Sequence, residues 1–154
     1  MSRIAVLALL LLIGCGGGPE ERLEKARALL ASGDYAAAAA AASEGLAAGA
    51  EGPVAWRLEL VALEGEARAG ETAAVLARLE RIAGAWSSQV DAALYIQSAG
   101  QLKQAGDAAG AISLLDAGAK RFPEDAGIAQ AIAQSKATGT AAEIERLRSL
   151  GYVE

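Results

Sequence analysis

The sequence predicts an all-α chain, a solenoid of about three helical hairpins with a capping helix, placed behind an N-terminal signal peptide. Two internal observations carry the helical part. Gly33-Asp34-Tyr35, Gly70-Glu71-Thr72 and Gly106-Asp107-Ala108 recur at spacings of 37 and 36 residues, and a period in this range marks a helical repeat array. Each Gly-acid pair lies between two Ala/Leu-rich stretches, the composition of good helix formers. The third observation sets the N-terminus apart. After Met1-Ser2-Arg3, residues 4–13 contain no polar side chain and run into Gly14-Cys15-Gly16-Gly17-Gly18-Pro19. One positive residue, a short apolar run and a small-residue site are the layout of a secretory signal peptide. Such a run rises only ~15 Å as a helix, half of a ~30 Å hydrocarbon core, which argues against a spanning anchor.

The elements follow in order. Pro19 is preset for a first turn, and Glu20 and Glu21 suit the dipole of a helix over 20–31. Gly33 ends it in the left-handed cap conformation, and Asp34 begins a second helix over 35–48. A loop over 49–52 leads to Pro53, which opens a third helix reaching 69. Gly70-Glu71 repeats the turn before a fourth helix over 71–85. A fifth is expected over 88–105 and, after Gly106, a sixth over 107–121. Pro123 breaks the chain. Residues 124–136 read as a capping helix with a polar outer face, 138–140 as a hinge, and 141–150 as a short amphipathic eighth helix. The domain organisation is therefore 1–14 as signal peptide, 15–19 as attachment site and loose glycine tether, 20–137 as repeat domain, and 138–154 as hinge and terminal helix.

Leu12-Ile13-Gly14-Cys15 resembles the lipobox of bacterial lipoproteins. The resemblance implies that the Cys15 thiol is alkylated by a diacylglyceryl group, that the chain is cut just before it, and that the new N-terminus is acylated. Multiple acyl chains give stable anchoring where a single chain does not. In two-membrane cells such proteins are often retained at the inner membrane when Asp follows the cysteine. Here Gly16 follows, which implies the outer membrane, facing the periplasm. The alternative is an ordinary signal peptide cut elsewhere, with Cys15 incidental.

Composition excludes several functions. Loss of residues 1–14 takes Arg3 with it, so the net charge moves from −5 to −6. No Lys/Arg-rich run is present, so nucleic acid is not an expected partner. There is no histidine, which removes Ser-His and Cys-His nucleophile pairs and the His-rich catalytic zinc sites. No cofactor or metal is expected. Carboxylate-only chemistry needs several acids converging on a cleft. The acids here, Glu59, Glu64 and Glu66 among them, read as singly scattered, solvated side chains, so the expectation is a non-enzyme.

Small residues recur with the turns. Five positions after each glycine stand Ala38, Val75 and Ala111; twelve after stand Gly45, Ile82 and Gly118; seven before stand Ala26, Leu63 and Ala99. Small side chains at such points let helices approach closely. The arrangement over about 19–123 resembles the tetratricopeptide repeat, a helix-turn-helix unit of about 34 residues. The third copy matches best, with Tyr95, Ala99, Gly106-Asp107, Ala111, Gly118 and Phe122-Pro123. The second departs, with Leu63, Val75 and Ile82 in place of small residues. The resemblance implies a right-handed solenoid whose concave groove is lined by the first helix of each pair, placing Arg27, Arg57, Leu60, Glu64, Arg68, Ile96, Gln97 and Lys103 on the partner-binding face. That set suits an extended acidic or amphipathic peptide; the alternative is ordinary surface. The Lys/Asn pattern that clamps a C-terminal carboxylate is absent, with Leu60, Val61 and Ile96 in its place. The function implied is a membrane-anchored scaffold or adaptor binding a protein or peptide. The runner-up is a carrier of a lipid or small apolar ligand.

Other residues carry two readings each. The alanine run 36–42 is a smooth contact face or a closely packed second helix. Trp56 and Trp86 are partner anchors or fillers between repeats. Tyr35, Tyr95 and Phe122 read as core. Gly65, Gly100 and Gly110 mark close helix contacts or drift. In the ending 144–154, Ile144, Leu147 and Leu150 share a helical stripe. Gly151 fits a helix stop with Tyr152 or Val153 folding back, and the segment is either a docking tail or a self-capping helix.

Overall fold

A computed structural model describes residues 17–154; Cys15 and the apolar run before it lie outside the described residues. The described chain is all-α, with eight helices and no strands: α1 Pro19–Ser32, α2 Tyr35–Ala47, α3 Gly52–Arg68, α4 Thr72–Ala85, α5 Ala92–Gln104, α6 Ala108–Arg121, α7 Ala126–Thr138 and α8 Ala141–Ser149. No helix among the described residues is long and apolar enough to cross a membrane.

The three Gly-acid pairs form the same turn. Gly33, Gly70 and Gly106 have φ of 86°, 79° and 94°, a region costly for any residue with a Cβ. In each turn the glycine N–H donates to the carbonyl three residues back, and the following acid's N–H to the carbonyl five back: Asp34 to Leu29, Glu71 to Glu66 and Asp107 to Leu102, at 3.0, 2.9 and 2.9 Å. This Schellman pairing satisfies the last carbonyls of the first helix. The acid then starts the next helix. Asp34 Oδ1 accepts from the Ala37 N–H at 3.4 Å and Asp107 Oδ1 from the Gly110 N–H at 2.8 Å. Glu71 makes no such side-chain cap; its extra methylene carries the carboxylate past the N–H groups that an Asp reaches.

Consecutive helices pack against each other except α4 and α5, and α1, α3, α5 and α7 also contact one another in series, as do α4, α6 and α8. Two apolar clusters result. Leu23, Ala26, Ala41, Ala42, Leu58, Val61 and Ala62 fill the first hairpin and its contact with α3. A larger cluster, including Leu79, Ile82, Leu102, Ile112, Leu114, Ile128 and Leu147, runs from α3 to α8.

The small residues act as spacing elements. A Cβ on Gly45 would lie 2.9 Å from Leu58, and one on Gly118 2.9 Å from Ile128 and 3.1 Å from Tyr95. A Cβ on Gly65 would meet the Tyr35 carbonyl at 2.7 Å and the Ala39 nitrogen at 3.0 Å, so α2 and α3 touch backbone to backbone there. Gly110 leaves room for the Thr72 hydroxyl, which donates to Asp107 Oδ2 at 2.5 Å and ties the second turn to the third. Gly100 has no such neighbour. In the departing second copy, α3 and α4 approach less closely than α1–α2 or α5–α6, as Leu63, Val75 and Ile82 require.

Some boundaries differ from expectation. The fifth helix begins at Ala92, not 88, because the Asp91 carboxylate accepts from the Leu94 N–H at 3.1 Å. The seventh begins at Ala126, where Asp125 caps Ile128 at 2.9 Å. Residues 138–140 make a tight turn: Thr140 and Glu143 form a reciprocal capping box. Gly139-Thr140 comes 33 residues after Gly106-Asp107 and joins α7 to α8, helices that pack together. It is thus a fourth hairpin turn. Gly139 has φ −69°, unlike the other three.

Candidate partner-binding face

The face expected to hold a partner lies on α1, α3 and α5. On α3, Arg57, Leu60, Glu64 and Arg68 follow the i, i+3, i+7, i+11 spacing that keeps side chains on one stripe. Arg57 is exposed and Leu60 partly buried. Arg68 Nη2 lies 2.7 Å from Glu64 Oε1, and its guanidinium stands 5.5 Å over the Tyr35 ring. Tyr35, expected in the core, is therefore a partly buried platform for Arg68. Arg27 pairs with Glu24 at 3.1 Å. Arg27, Tyr35, Glu64 and Arg68 line an open depression of about 510 Å³ beside the first turn.

The other candidates lie elsewhere on the face. Ile96 and Lys103 line a narrower cleft of about 220 Å³ between α5 and α7, floored by Ala111, Ile112 and Leu115 of α6. Gln97 is exposed one position round the helix and, like Arg57 and Leu60, lines neither depression. The eight residues thus divide between two depressions and exposed helix surface. Ala131, Gln134 and Thr138 of α7 complete the cleft and were not among the sequence candidates. The available signal was Gly139-Thr140, which continues the period of the turns and makes α7 the first helix of a further pair.

One end of the cleft is set by Glu143, whose side chain is 1% exposed. It accepts from Lys103 Nζ at 2.7 Å, Ser135 Oγ at 3.2 Å, and the Thr140 N–H and hydroxyl at 2.8 and 3.0 Å. Burial by itself raises the pKa of this carboxyl. The hydrogen bonds from Lys103 and Thr140, with the Lys103 charge, outweigh that and hold it below the ordinary carboxylate range.

The acids are not scattered singly, contrary to expectation. Glu59, Glu66, Asp116 and Glu143 are buried. Glu59 and Glu66 converge on Arg78, while Glu64 turns away to Arg68. Arg78 also donates to Ser43 Oγ at 3.0 Å, and Arg81 Nη2 reaches Glu59 at 2.8 Å. Desolvation lowers the Arg78 pKa, but the two carboxylates more than reverse this, so the net direction is upward. Two guanidiniums and two carboxylates balance in charge, as a buried ionic group requires. No group of three acids or cysteines that could hold a metal ion occurs among the described residues.

Trp56 and Trp86 pack on each other, with centroids 5.8 Å apart, and Tyr95 meets Phe122 edge-on at 5.8 Å. The C-terminal segment folds back on the body. Leu147 is fully buried, Arg146 Nε donates to Ser113 Oγ at 2.9 Å, and the Tyr152 hydroxyl donates to Asp116 Oδ1 at 3.0 Å. Burial and the Asp116 carboxylate both push the Tyr152 phenol upward. The Tyr152 N–H bonds to the Leu147 carbonyl at 2.9 Å, repeating the turn chemistry of the three Gly-acid pairs. Of the two readings of the ending, the self-capping helix describes this arrangement.

Compared with protein-family models, curated proteins and solved structures, the chain matches none.

Proposed function

We propose that this chain is a lipid-anchored, tetratricopeptide-like solenoid of the bacterial cell envelope. In this reading Cys15 carries the lipid and the body faces the periplasm from the outer membrane. The chain is a non-catalytic scaffold that holds a protein or peptide partner on the face of α1, α3 and α5. The observation that supports it most is the recurrence of one Schellman turn at Gly33, Gly70 and Gly106, each joining two packed helices. Stacked hairpins of this kind present long surfaces suited to extended peptides. The lipobox-like Leu12-Ile13-Gly14-Cys15 supports the anchor.

A non-catalytic role is supported by the converging acids themselves. Glu59 and Glu66 are occupied by Arg78 and sealed from solvent, so no substrate reaches them. Two concavities favour the carrier reading. The apolar α5–α7 cleft, at about 220 Å³, falls short of the ~300 Å³ at which small-molecule pockets begin. A depression of about 410 Å³ over Leu76, Leu79, Tyr95 and Ala117 is large enough, but Glu80, Lys120 and Arg121 share its lining and ill suit an apolar ligand, so the scaffold reading is preferred.

Crosslinking in cells with the full chain, tagged at its C-terminus, tests the scaffold. One dominant envelope protein is expected, lost when Arg57, Leu60 and Arg68 are substituted together. No enriched partner would remove the reading. Cys15→Ser is expected to release the chain from membranes; retention in a carbonate-washed pellet would overturn the lipid anchor.

A further inference from the structure

We propose that the cleft between α5 and α7 takes one large apolar side chain of a partner peptide, with an adjacent carboxylate of that peptide meeting Lys103. The inference rests on the scaffold reading and names what its face selects.

The shape comes first. The cleft is closed at one end, where a Cβ on Gly127 of α7 would lie 3.0 Å from Ile96 Cδ1. Its floor is apolar and sealed, with Ile112 and Leu115 only 1% and 5% exposed. A volume of about 220 Å³ is small for a whole ligand and suits one side chain presented by an extended chain.

Gly100 gives the second argument. It sits in the middle of α5, where glycine is a poorer helix former than alanine. Gly45, Gly65 and Gly118, also inside helices, each face a neighbour that a Cβ would meet at 2.9 Å or less. Gly100 is exposed, lines the cleft, and has nothing within 4 Å of where its Cβ would stand. Gly84 is similarly free, but it lies in the last turn of α4. A missing side chain on a cleft wall is what close approach of a second backbone needs.

Charge supplies the third. Lys103 and Glu143 are the two charged residues of the lining. Glu143 is sealed and keeps three donors from Ser135 and Thr140 besides Lys103. The Lys103 side chain is 52% exposed and carries three N–H donors, of which Glu143 takes one. The pair is neutral as a whole, and the mouth shows solvent an ammonium with N–H donors to spare, which a carboxylate can accept.

The probe is an array of blocked peptides that vary one central residue among Ala, Leu, Phe and Trp, followed by Asp, Asn or Lys. Each is assayed against the full chain in detergent micelles. Retention is expected to require both a large apolar residue and the following Asp. Gly100→Leu, which fills the cleft, is expected to weaken binding at least about tenfold without lowering the melting temperature. Ile96→Ala, which widens the closed end, should shift preference toward the larger side chain and serves if Gly100→Leu folds poorly. Binding indifferent to the apolar residue, or equal in Gly100→Leu and wild type, would overturn the cleft. If the in-cell partner then crosslinks to α1 and α3 instead, the scaffold reading survives without it.

Discussion

Arg78 grips Glu66 through two parallel hydrogen bonds, Nε to Oε2 at 2.7 Å and Nη2 to Oε1 at 2.6 Å, with both residues buried. The fork of a guanidinium matches a carboxylate in this way and a lysine does not. Because Arg78 also reaches Glu59 on α3 and Ser43 on α2, one side chain of α4 fastens three helices. It does so in the copy of the repeat where large residues keep α3 and α4 apart.

Removing one partner of a buried ionic group leaves the others without compensation, at about 3–5 kcal/mol. Arg78→Met is therefore expected to destabilise by that amount in chemical denaturation, since Glu66 loses both of its donors. Exchanging Arg78, Glu59 and Glu66 together for apolar residues of similar volume should cost much less. Equal losses in the single and triple variants would refute the assignment.

Gly65 and Gly100 should respond to alanine with opposite signs. At Gly65 the new methyl meets the Tyr35 carbonyl and the Ala39 nitrogen, and forcing packed helices apart costs about 1–3 kcal/mol. At Gly100 nothing obstructs it, so the helix gains up to about 1 kcal/mol. Melting temperatures of the two variants decide the matter.

Glu143 carries a pH dependence. Its folded pKa is depressed, so the unfolded chain binds its proton more readily. The contribution of this group is full above the ordinary carboxylate range and disappears as pH falls through the folded value. The stability gap between wild type and Glu143→Gln should therefore be widest near neutral pH and narrow as pH falls below the ordinary carboxylate range, in urea titrations at each pH. A gap that widens on acidification would contradict the hydrogen bonds described.

Leu147 is fully buried on the face of α8 that packs against α6 and α7. Leu147→Ala is expected to cost about 2–5 kcal/mol. If α8 is an integral cap, amide exchange should then accelerate in α7 and the C-terminal half of α6 as well as in α8. Faster exchange confined to residues 141–154 would make it a separable tail.

The helices were legible because their signals are local. Glycine at a left-handed cap, an acid at the next N-cap and Ala/Leu-rich flanks act within one or two turns of the chain, and they gave the turns at 33, 70 and 106 directly. The late start of α5 shows the limit: Asp91 and Asp125 were ordinary acids in the sequence until their carboxylates were seen to cap Leu94 and Ile128. Gly45 and Gly118 were legible as close contacts from the repeat alone, whereas Gly65 and Gly100 looked alike.

What the tertiary structure decided is everything that depends on which side chains meet across helices. Glu59 and Glu66 lie seven residues apart, on the same face of α3, yet nothing nearby in sequence says that Arg78 will come down between them. Ile96 and Lys103 acquired a cleft only because α7 stands beside α5, and Lys103 acquired a partner only because α8 folds back. A helix signal is carried by neighbours in the chain, while an ion pair or a cleft is made by residues tens of positions apart, whose distance is fixed by packing alone.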